Sequence, residues 1–278
     1  MLPIHENLKD KTAVITGGSG VLCSEMAREL ARHGVNVAIL NRTAEKGASI
    51  AEEINMAGGR AISVAADVLN RTLLEKAKET VLESFGRIDL LINGAGGNHP
   101  DAITDVEIYD KESEAKSFFD LEETGFSNVF AANFTGTFLP SQVFGRELLK
   151  QQAPTIINIS SMSSFSPMTK VPAYSAAKSA INNFTMWMAV HFAETGLRIN
   201  AIAPGFFQTT QNRSLLFNDD GSYTARSHKI LNSTPMKRFG DPKDLLGTLL
   251  WLADEKSSGF VTGITVPVDG GFMAYSGV

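Results

Sequence analysis

The chain has 278 residues, 43% hydrophobic and 20% charged, with 24 Gly and 10 Pro, a composition that excludes disordered and collagen-like architectures and suits one domain of about 250 residues. Its 25 basic residues against 30 acidic ones leave a formal charge of −5, and without clustered Lys and Arg a nucleic-acid partner is not expected. The single cysteine, Cys23, permits neither an internal disulfide nor a Cys-x-x-Cys metal site, and without a long apolar run or a secretory core in Met1–Asp10 a reducing, cytosolic location and no membrane partner are expected.

Short β-branched or apolar runs alternate with longer segments of helical period, the pattern of βαβ units in a parallel sheet covered on both faces. In chain order, strands are predicted at Thr12–Thr16, Val35–Leu40, Ala61–Ala65, Ile88–Asn93, Thr155–Ser160, Arg198–Ala203 and Thr262–Val268. The clearest helices are predicted at Gly20–Arg32, Ala44–Met56, Leu73–Phe85, Ala173–Thr195 and Pro242–Ala253. The expected fold is therefore α/β, a single-domain doubly wound parallel sheet of about seven strands. Two connections, at about 98–132 and 205–240, exceed what a crossover needs. The first carries a charged stretch from Asp101 to Glu123, the second Phe206, Phe207, Gln211, Arg213 and the polar run Asn218–Tyr223. Loops leaving the carboxyl ends of such strands form the ligand crevice, so substrate selection is expected there. Surface or oligomer-contact excursions are the alternative.

The segment Thr16-Gly17-Gly18-Ser19-Gly20-Val21-Leu22-Cys23 sets a glycine-rich turn between the first strand and an amphipathic helix. There a pyrophosphate can meet bare N–H groups and the positive end of a helix dipole, although glycines close purely structural turns equally well. Asp67 could accept from an adenine amino group, or cap the next helix. Asn93-Gly94-Ala95-Gly96 could let a cofactor lie against backbone, or serve as an ordinary turn. Tyr174 stands thirteen residues after Ser161, with Lys178 four residues further on. At helical spacing that phenol and ammonium share a face. The face continues apolar through Ala177, Ile181, Phe184 and Met188, so both are predicted to point inward, where the cation would favour the phenolate and Ser161 would hold a carbonyl. Cys23 is expected to pack as a small apolar residue rather than act as a nucleophile.

Over Lys11–Gly271 these residues resemble the classical short-chain dehydrogenase/reductase family. Thr16-Gly17, Asn93-Gly-Ala-Gly96, Asn133 in Ala-Asn-Phe-Thr-Gly-Thr, Ser161, Tyr174-Ser-Ala-Ala-Lys178, Asn200-Ala-Ile-Ala-Pro204-Gly205 and Val268-Asp-Gly-Gly271 match its pattern in order and spacing. The resemblance implies a Rossmann-type domain and an NAD(P)-dependent oxidoreductase acting on CH–OH groups. It implies Tyr174 as proton donor or acceptor, Lys178 as its neighbour and ribose ligand, Ser161 as carbonyl binder and Asn133 as anchor of a relay water. It further places the cofactor against Gly17, Ser19, Gly20, Val21 and Leu22, then Asn41, Arg42, Asp67 and Val68, and finally Asn93, Gly94, Ala95, Pro204, Gly205 and Phe207, and it implies a homotetramer. The family usually has glycine at the positions of Val21 and Cys23; Gly18 and Gly20 offer compensation.

The second predicted strand ends Ile39-Leu40-Asn41-Arg42, without the acid that binds a ribose 2′-hydroxyl in NAD sites. Arg42 could pair a 2′-phosphate, which favours NADP(H) and leaves NAD(H) open. A finer resemblance, through Val21-Leu-Cys-Ser24, Gly96-Gly-Asn-His99-Pro100, Phe118-Phe-Asp120 and Gln211-Asn-Arg213, is to the D-mannonate oxidoreductase (fructuronate reductase) group. It implies interconversion of D-fructuronate and D-mannonate. A sugar acid needs hydroxyl partners and a cation, and Asn98, His99, Lys170, Gln211, Asn212 and Arg213 lie in loops bordering the crevice; Ser163 joins them as an implied substrate ligand. A reductase of another keto-sugar acid such as 5-keto-gluconate, an acyl-carrier-protein reductase, and a non-catalytic NAD(P)-binding sensor remain as alternatives.

Overall fold

The structure, a computed structural model, describes residues 2–209 and 213–277. Seven parallel strands lie in the order β3-β2-β1-β4-β5-β6-β7: β1 Thr12–Thr16, β2 Asn36–Asn41, β3 Arg60–Ala65, β4 Leu90–Asn93, β5 Thr155–Ile159, β6 Arg198–Pro204 and β7 Thr265–Val268. The order reverses between β1 and β4, which pair in parallel from Ala13 opposite Leu90 to Thr16 opposite Asn93. That switch point is where an open α/β sheet offers a ligand crevice.

Every residue of β1, β2, β4, β5 and β6 is buried, as strands covered on both faces must be. The period of two divides them between two cores. Ala13, Ile15, Ile39, Ile92 and Ile157 face Met26, Leu30 and Leu249; Val14, Ala38, Leu40, Leu91 and Ile156 face Leu74, Val81, Phe144 and Met188. The covering helices are α1 Val21–Arg32, α2 Ala44–Met56, α3 Arg71–Phe85, α4 Glu123–Phe130, α5 Gly136–Leu148 and α6 Pro172–His191. They are followed by the short α7 Arg213–Leu216, α8 Ala225–Asn232, α9 Leu246–Ala253 and α10 Glu255–Ser258. No helix among the described residues is long and apolar enough to cross a membrane.

Element boundaries depart from expectation for identifiable reasons. β4 starts at Leu90 rather than Ile88, because the Asp89 carboxylate takes the Thr12 N–H (2.9 Å) and is itself held by Arg87 (2.8 and 2.6 Å). β7 starts at Thr265 because Gly263 sits at φ +81°, in the left-handed region that breaks an extended run. α6 stops at His191 and a one-turn 3-10 helix, Ala193–Thr195, leads to Gly196 at φ +81°. The predicted helix Pro242–Ala253 begins as a 3-10 turn, Pro242–Leu245, capped by Asp241.

The described parts of both long connections lie around the carboxyl end of the sheet. The first folds into two 3-10 turns and α4, then a π-helical turn, Ala131–Thr135, that leads into α5. The second closes on itself where Gly240 N–H donates to the Phe206 carbonyl (2.9 Å) and Gln208 N–H to that of Gly240 (3.0 Å), around a small core of Leu216, Ile230, Leu231 and Phe239. Lys229 of the second pairs with Glu107 of the first.

Candidate active site

At the switch point the turn after β1 is shaped by what a side chain would strike. Gly17 has φ +63°, and a Cβ there would lie 2.9 Å from the Ala95 backbone. Its carbonyl accepts the Gly20 N–H at 2.9 Å. Gly20 then caps α1 with no side-chain hydrogen bond, so the first-turn N–H groups, beginning at Val21 and Leu22, are open to an anion. This is the cradle a pyrophosphate needs. Asn41 accepts the Ser19 N–H on its Oδ1 at 2.8 Å, so its buried side chain holds the turn, while its Nδ2 is buried without a partner.

The bulk at Cys23 is accommodated by Gly94 rather than by Gly18 or Gly20. A Cβ on Gly94 would fall 2.2 Å from the Cys23 Sγ and 2.9 Å from the Thr16 carbonyl. Cys23 is 4% exposed, and burial pushes its thiol up to about 12, so it packs as a neutral apolar residue. Thr16 Oγ1 accepts the N–H groups of Gly94 (3.1 Å) and Ala95 (3.2 Å), locking the β1 and β4 turns together. The Asn93 side chain donates inward to Ser141 (3.0 Å) and Asn158 (2.9 Å), which leaves its backbone, as read from the sequence, to border the crevice. The Phe207 ring is likewise 5% exposed and packs on Gly240, whose Cβ would come within 2.6 Å of it. Pro204 ends β6, and Gly205 N–H donates to the Val268 carbonyl at 3.0 Å.

A cleft of about 630 Å³ runs from Gly17 and Ser19 past Arg42, Asp67 and Val68 to Asn98 and His99. Asp67 accepts the Leu69 N–H at 2.9 Å, so it caps the turn before α3 and also lines the cleft. Arg42 is exposed on its wall beside Lys46. Lys46 was not singled out from sequence, although it lies four residues after Arg42 in the first turn of α2, where a second cation would share its side of the crevice.

At the other end of the crevice, the structure brings Ser161, Tyr174 and Lys178 together. Ser161 N-caps a one-turn 3-10 helix, Met162–Ser164, directly after β5. Lys178 is 5% exposed and donates from Nζ to the Ile159 carbonyl at 2.8 Å; its Nζ lies 5.5 Å from the Tyr174 ring centroid. Burial lowers the Lys178 ammonium to about 8. The phenol behaves otherwise than expected: burial raises Tyr174 above its ordinary value, and the opposing influence is a hydrogen bond from Ser161.

The π-helical turn carries Asn133 into this site, fully buried. Its Nδ2 donates to the Gly97 and Val129 carbonyls (both 2.7 Å) and its Oδ1 accepts the Gly97 N–H (3.3 Å). Its backbone carbonyl accepts from Thr137 Oγ1 at 2.9 Å and keeps a second acceptor site at which a water could be anchored. A Cβ on Gly96 would lie 2.5 Å from the Asn133 Oδ1 and 3.5 Å from the Lys178 Nζ, so Gly96 lets the two groups approach each other. The Tyr174 ring packs on Ala102, Val129 and Ala173, which ties the phenol to the first insertion.

The expected substrate ligands are less concentrated. Asn98 is exposed and accepts the His99 N–H at 3.0 Å, while His99 lies 3.4 Å from Asp101. Lys170, at φ +70°, accepts the Thr104 N–H on its carbonyl at 3.0 Å, which joins the first insertion to the start of α6. The hydrogen-bonded Lys229 holds the Glu107 carboxyl below the usual range, with Lys170 and Arg226 adding to the effect. Arg213 is exposed and lies over the Phe217 ring at 5.3 Å, while the nearby Asp220 carboxylate accepts from the Ser222 N–H and hydroxyl. Ser163 is 1% exposed and bonded to Ser161, which leaves it no surface for a substrate. Gln211 and Asn212 lie outside the described residues.

A family model of short chain dehydrogenases matches residues 11–220. An uncharacterized oxidoreductase of Bacillus subtilis (strain 168) is 75% identical over 278 residues, the whole of both chains. The 5-keto-D-gluconate 5-reductase of Escherichia coli (strain K12) is 30% identical over 269 residues, 96% of this chain and 97% of its own. Among solved structures, that of a candidate D-mannonate oxidoreductase from Haemophilus influenzae with bound NAD superposes with a TM-score of 0.95 at 49% identity, covering 98% of each chain.

Proposed function

The chain belongs to the short chain dehydrogenase family, and from that premise we propose that this oxidoreductase exchanges hydride between a nicotinamide cofactor and a sugar acid, interconverting D-fructuronate and D-mannonate. The observation that carries this reading is the meeting of Ser161, Tyr174 and buried Lys178 beneath two polar insertions at the switch point of the sheet. The likeness to the Haemophilus protein and to the 5-keto-gluconate reductase supports a sugar acid as substrate.

When bound, the nicotinamide supplies or receives the hydride. In reduction, Ser161 donates its O–H to the substrate carbonyl oxygen, and Tyr174 delivers a proton from Oη to the alkoxide as it forms. In oxidation the phenolate takes that proton back. Lys178 would hold the cofactor ribose from the side facing Gly96, where Asn133 fixes the Gly97 backbone. The α1 N-terminus, with the backbone of Gly17, Gly94 and Ala95, would hold the pyrophosphate.

Arg42 and Lys46, with no acid at the end of β2, support NADP(H), whereas NAD is what the Haemophilus protein holds. Arg42→Ala is expected to weaken NADP binding about tenfold or more, the worth of a charge-assisted hydrogen bond, and to leave NAD nearly unchanged. Equal changes in the two dissociation constants, measured by fluorescence titration, would mean that Arg42 is merely solvated. For the substrate carboxylate, Arg213 offers a planar fork that suits bidentate binding. Arg213→Met should raise KM for the acid steeply and hardly affect a neutral keto-sugar of similar size; equal effects on both would show that Arg213 only orders its loop.

A homotetramer is part of the same proposal, supported by the exposed Phe126, Trp187, Val190 and Phe260. Light scattering should read four copies, and a monomer at micromolar concentration would end that reading. A single buried thiol suits a reducing, cytoplasmic location. The function itself is tested by incubating the protein with D-mannonate and each oxidised cofactor, following the absorbance of the reduced nicotinamide and identifying the keto acid by mass spectrometry. Turnover of 5-keto-gluconate but not fructuronate in the reverse direction would move the assignment to another sugar acid.

A further inference from the structure

We infer that Ser163 is a positioning residue that fixes the direction in which the Ser161 hydroxyl donates, an inference that rests on the carbonyl chemistry proposed above. A hydroxyl offers one donor and two acceptor sites. The Ser161 Oγ accepts the Ser163 N–H at 3.2 Å and the Ser163 O–H at 3.0 Å, so both acceptor sites are taken from one side. What remains is its own O–H, and the group within its reach is the Tyr174 phenol. A carbonyl oxygen between the two would then receive a proton-donating contact from each.

The rest of the turn is already immobilised, which leaves the Ser161 hydroxyl rotation as the freedom to be fixed. Ser160 Oγ donates to Asn182 Oδ1 (2.6 Å), Asn182 Nδ2 donates to Ser164 Oγ (2.7 Å), and Ser164 Oγ donates to the Ser161 carbonyl (2.5 Å). Ser179 Oγ adds a bond to the Ser164 carbonyl (2.8 Å). This chain clamps Met162–Ser164 to α6, the helix that carries Tyr174 and Lys178. Ser163 takes no part in the clamp. Its hydroxyl, 1% exposed, points at Ser161 instead, and its burial excludes direct contact with a substrate. Without it, Ser161 regains a free acceptor site in a buried place, where unsatisfied polar groups are costly, and its O–H can rotate away from the phenol.

The test uses the full chain carrying Ser163→Ala, with Ser163→Cys as a companion that keeps the volume but has a weak donor. Tyr174 ionisation is read without any substrate by ultraviolet difference titration, its signal identified against Tyr174→Phe. Loss of the oriented Ser161 bond should move that ionisation to higher pH in Ser163→Ala, with Ser163→Cys in between. With substrate, kcat should fall about fivefold, the worth of one hydrogen bond, while KM and cofactor affinity stay within twofold. An unmoved Tyr174 titration would overturn the inference even if no substrate is found, and so would a raised KM with kcat intact. Should Ser163→Ala fail to fold, the Ser163→Cys titration decides by the same criterion. A wild-type protein inactive on every keto acid, yet showing the shifted titration, would refute the proposed function and leave the inference standing.

Discussion

Replacing Tyr174 by Phe is expected to lower kcat by about 10²-fold or more, the typical contribution of a positioned general acid, while cofactor affinity stays within about threefold. The phenyl ring keeps the packing against Ala102, Val129 and Ala173, so only the exchangeable proton is lost. Stopped-flow and steady-state rates on the same preparation check this, with thermal melting as control. A folded Tyr174→Phe protein with wild-type kcat would remove Tyr174 from the chemistry. The pH dependence has a definite sign as well. Because burial raises the phenol above its ordinary value, alcohol oxidation, which needs the phenolate, should speed up as pH rises through the ionisation of Tyr174.

Lys178→Met should be nearly as damaging, but through binding. The ammonium is anchored on the Ile159 carbonyl at 2.8 Å and faces Gly96, from where its remaining protons can reach ribose hydroxyls. Loss of charged hydrogen bonds of that kind costs about 10- to 100-fold in affinity. Since the free enzyme's Lys178 titrates at about 8, below which it carries its charge, wild-type cofactor affinity should decline as pH rises through that value. Lys178→Met should lack the decline altogether. Isothermal titration across this range measures both, and a variant with undiminished affinity would place the ribose elsewhere.

The sheet is legible in the chain because parallel strands buried on both faces must be continuous apolar runs. Val14-Ile15, Val37 to Leu40 and Ile156-Ile157 can hardly be anything else. The spacing of Ser161, Tyr174 and Lys178 is equally legible, since helical period alone puts Tyr174 and Lys178 on one face. Harder to see are features decided by packing at a distance. Nothing local announces that Cys23 fills the space left by Gly94, that the Asn41 side chain holds the Ser19 N–H, or that the Asn93 side chain donates inward to Ser141 and Asn158.

The π-helical turn at Ala131–Thr135 has no periodic signal of its own, yet it sets Asn133 against Gly97. The electrostatics were least accessible of all. The spacing of Tyr174 and Lys178 suggests that the cation lowers the phenol, whereas the degree of burial, which spacing does not reveal, raises the phenol and lowers the ammonium together. The insertions also carry their ionic seam, Glu107 with Lys229, across 122 positions of sequence, beyond the reach of any local pattern.

The most direct measurement compares kcat/KM of the wild-type protein for D-fructuronate and for the neutral ketose D-fructose, each with NADPH and NADH. Binding of the carboxylate by a cation and hydroxyl partners predicts a preference for the acid of about 10²-fold, the scale of one to two charged hydrogen bonds. Equal or faster reduction of the neutral ketose would contradict a sugar-acid substrate.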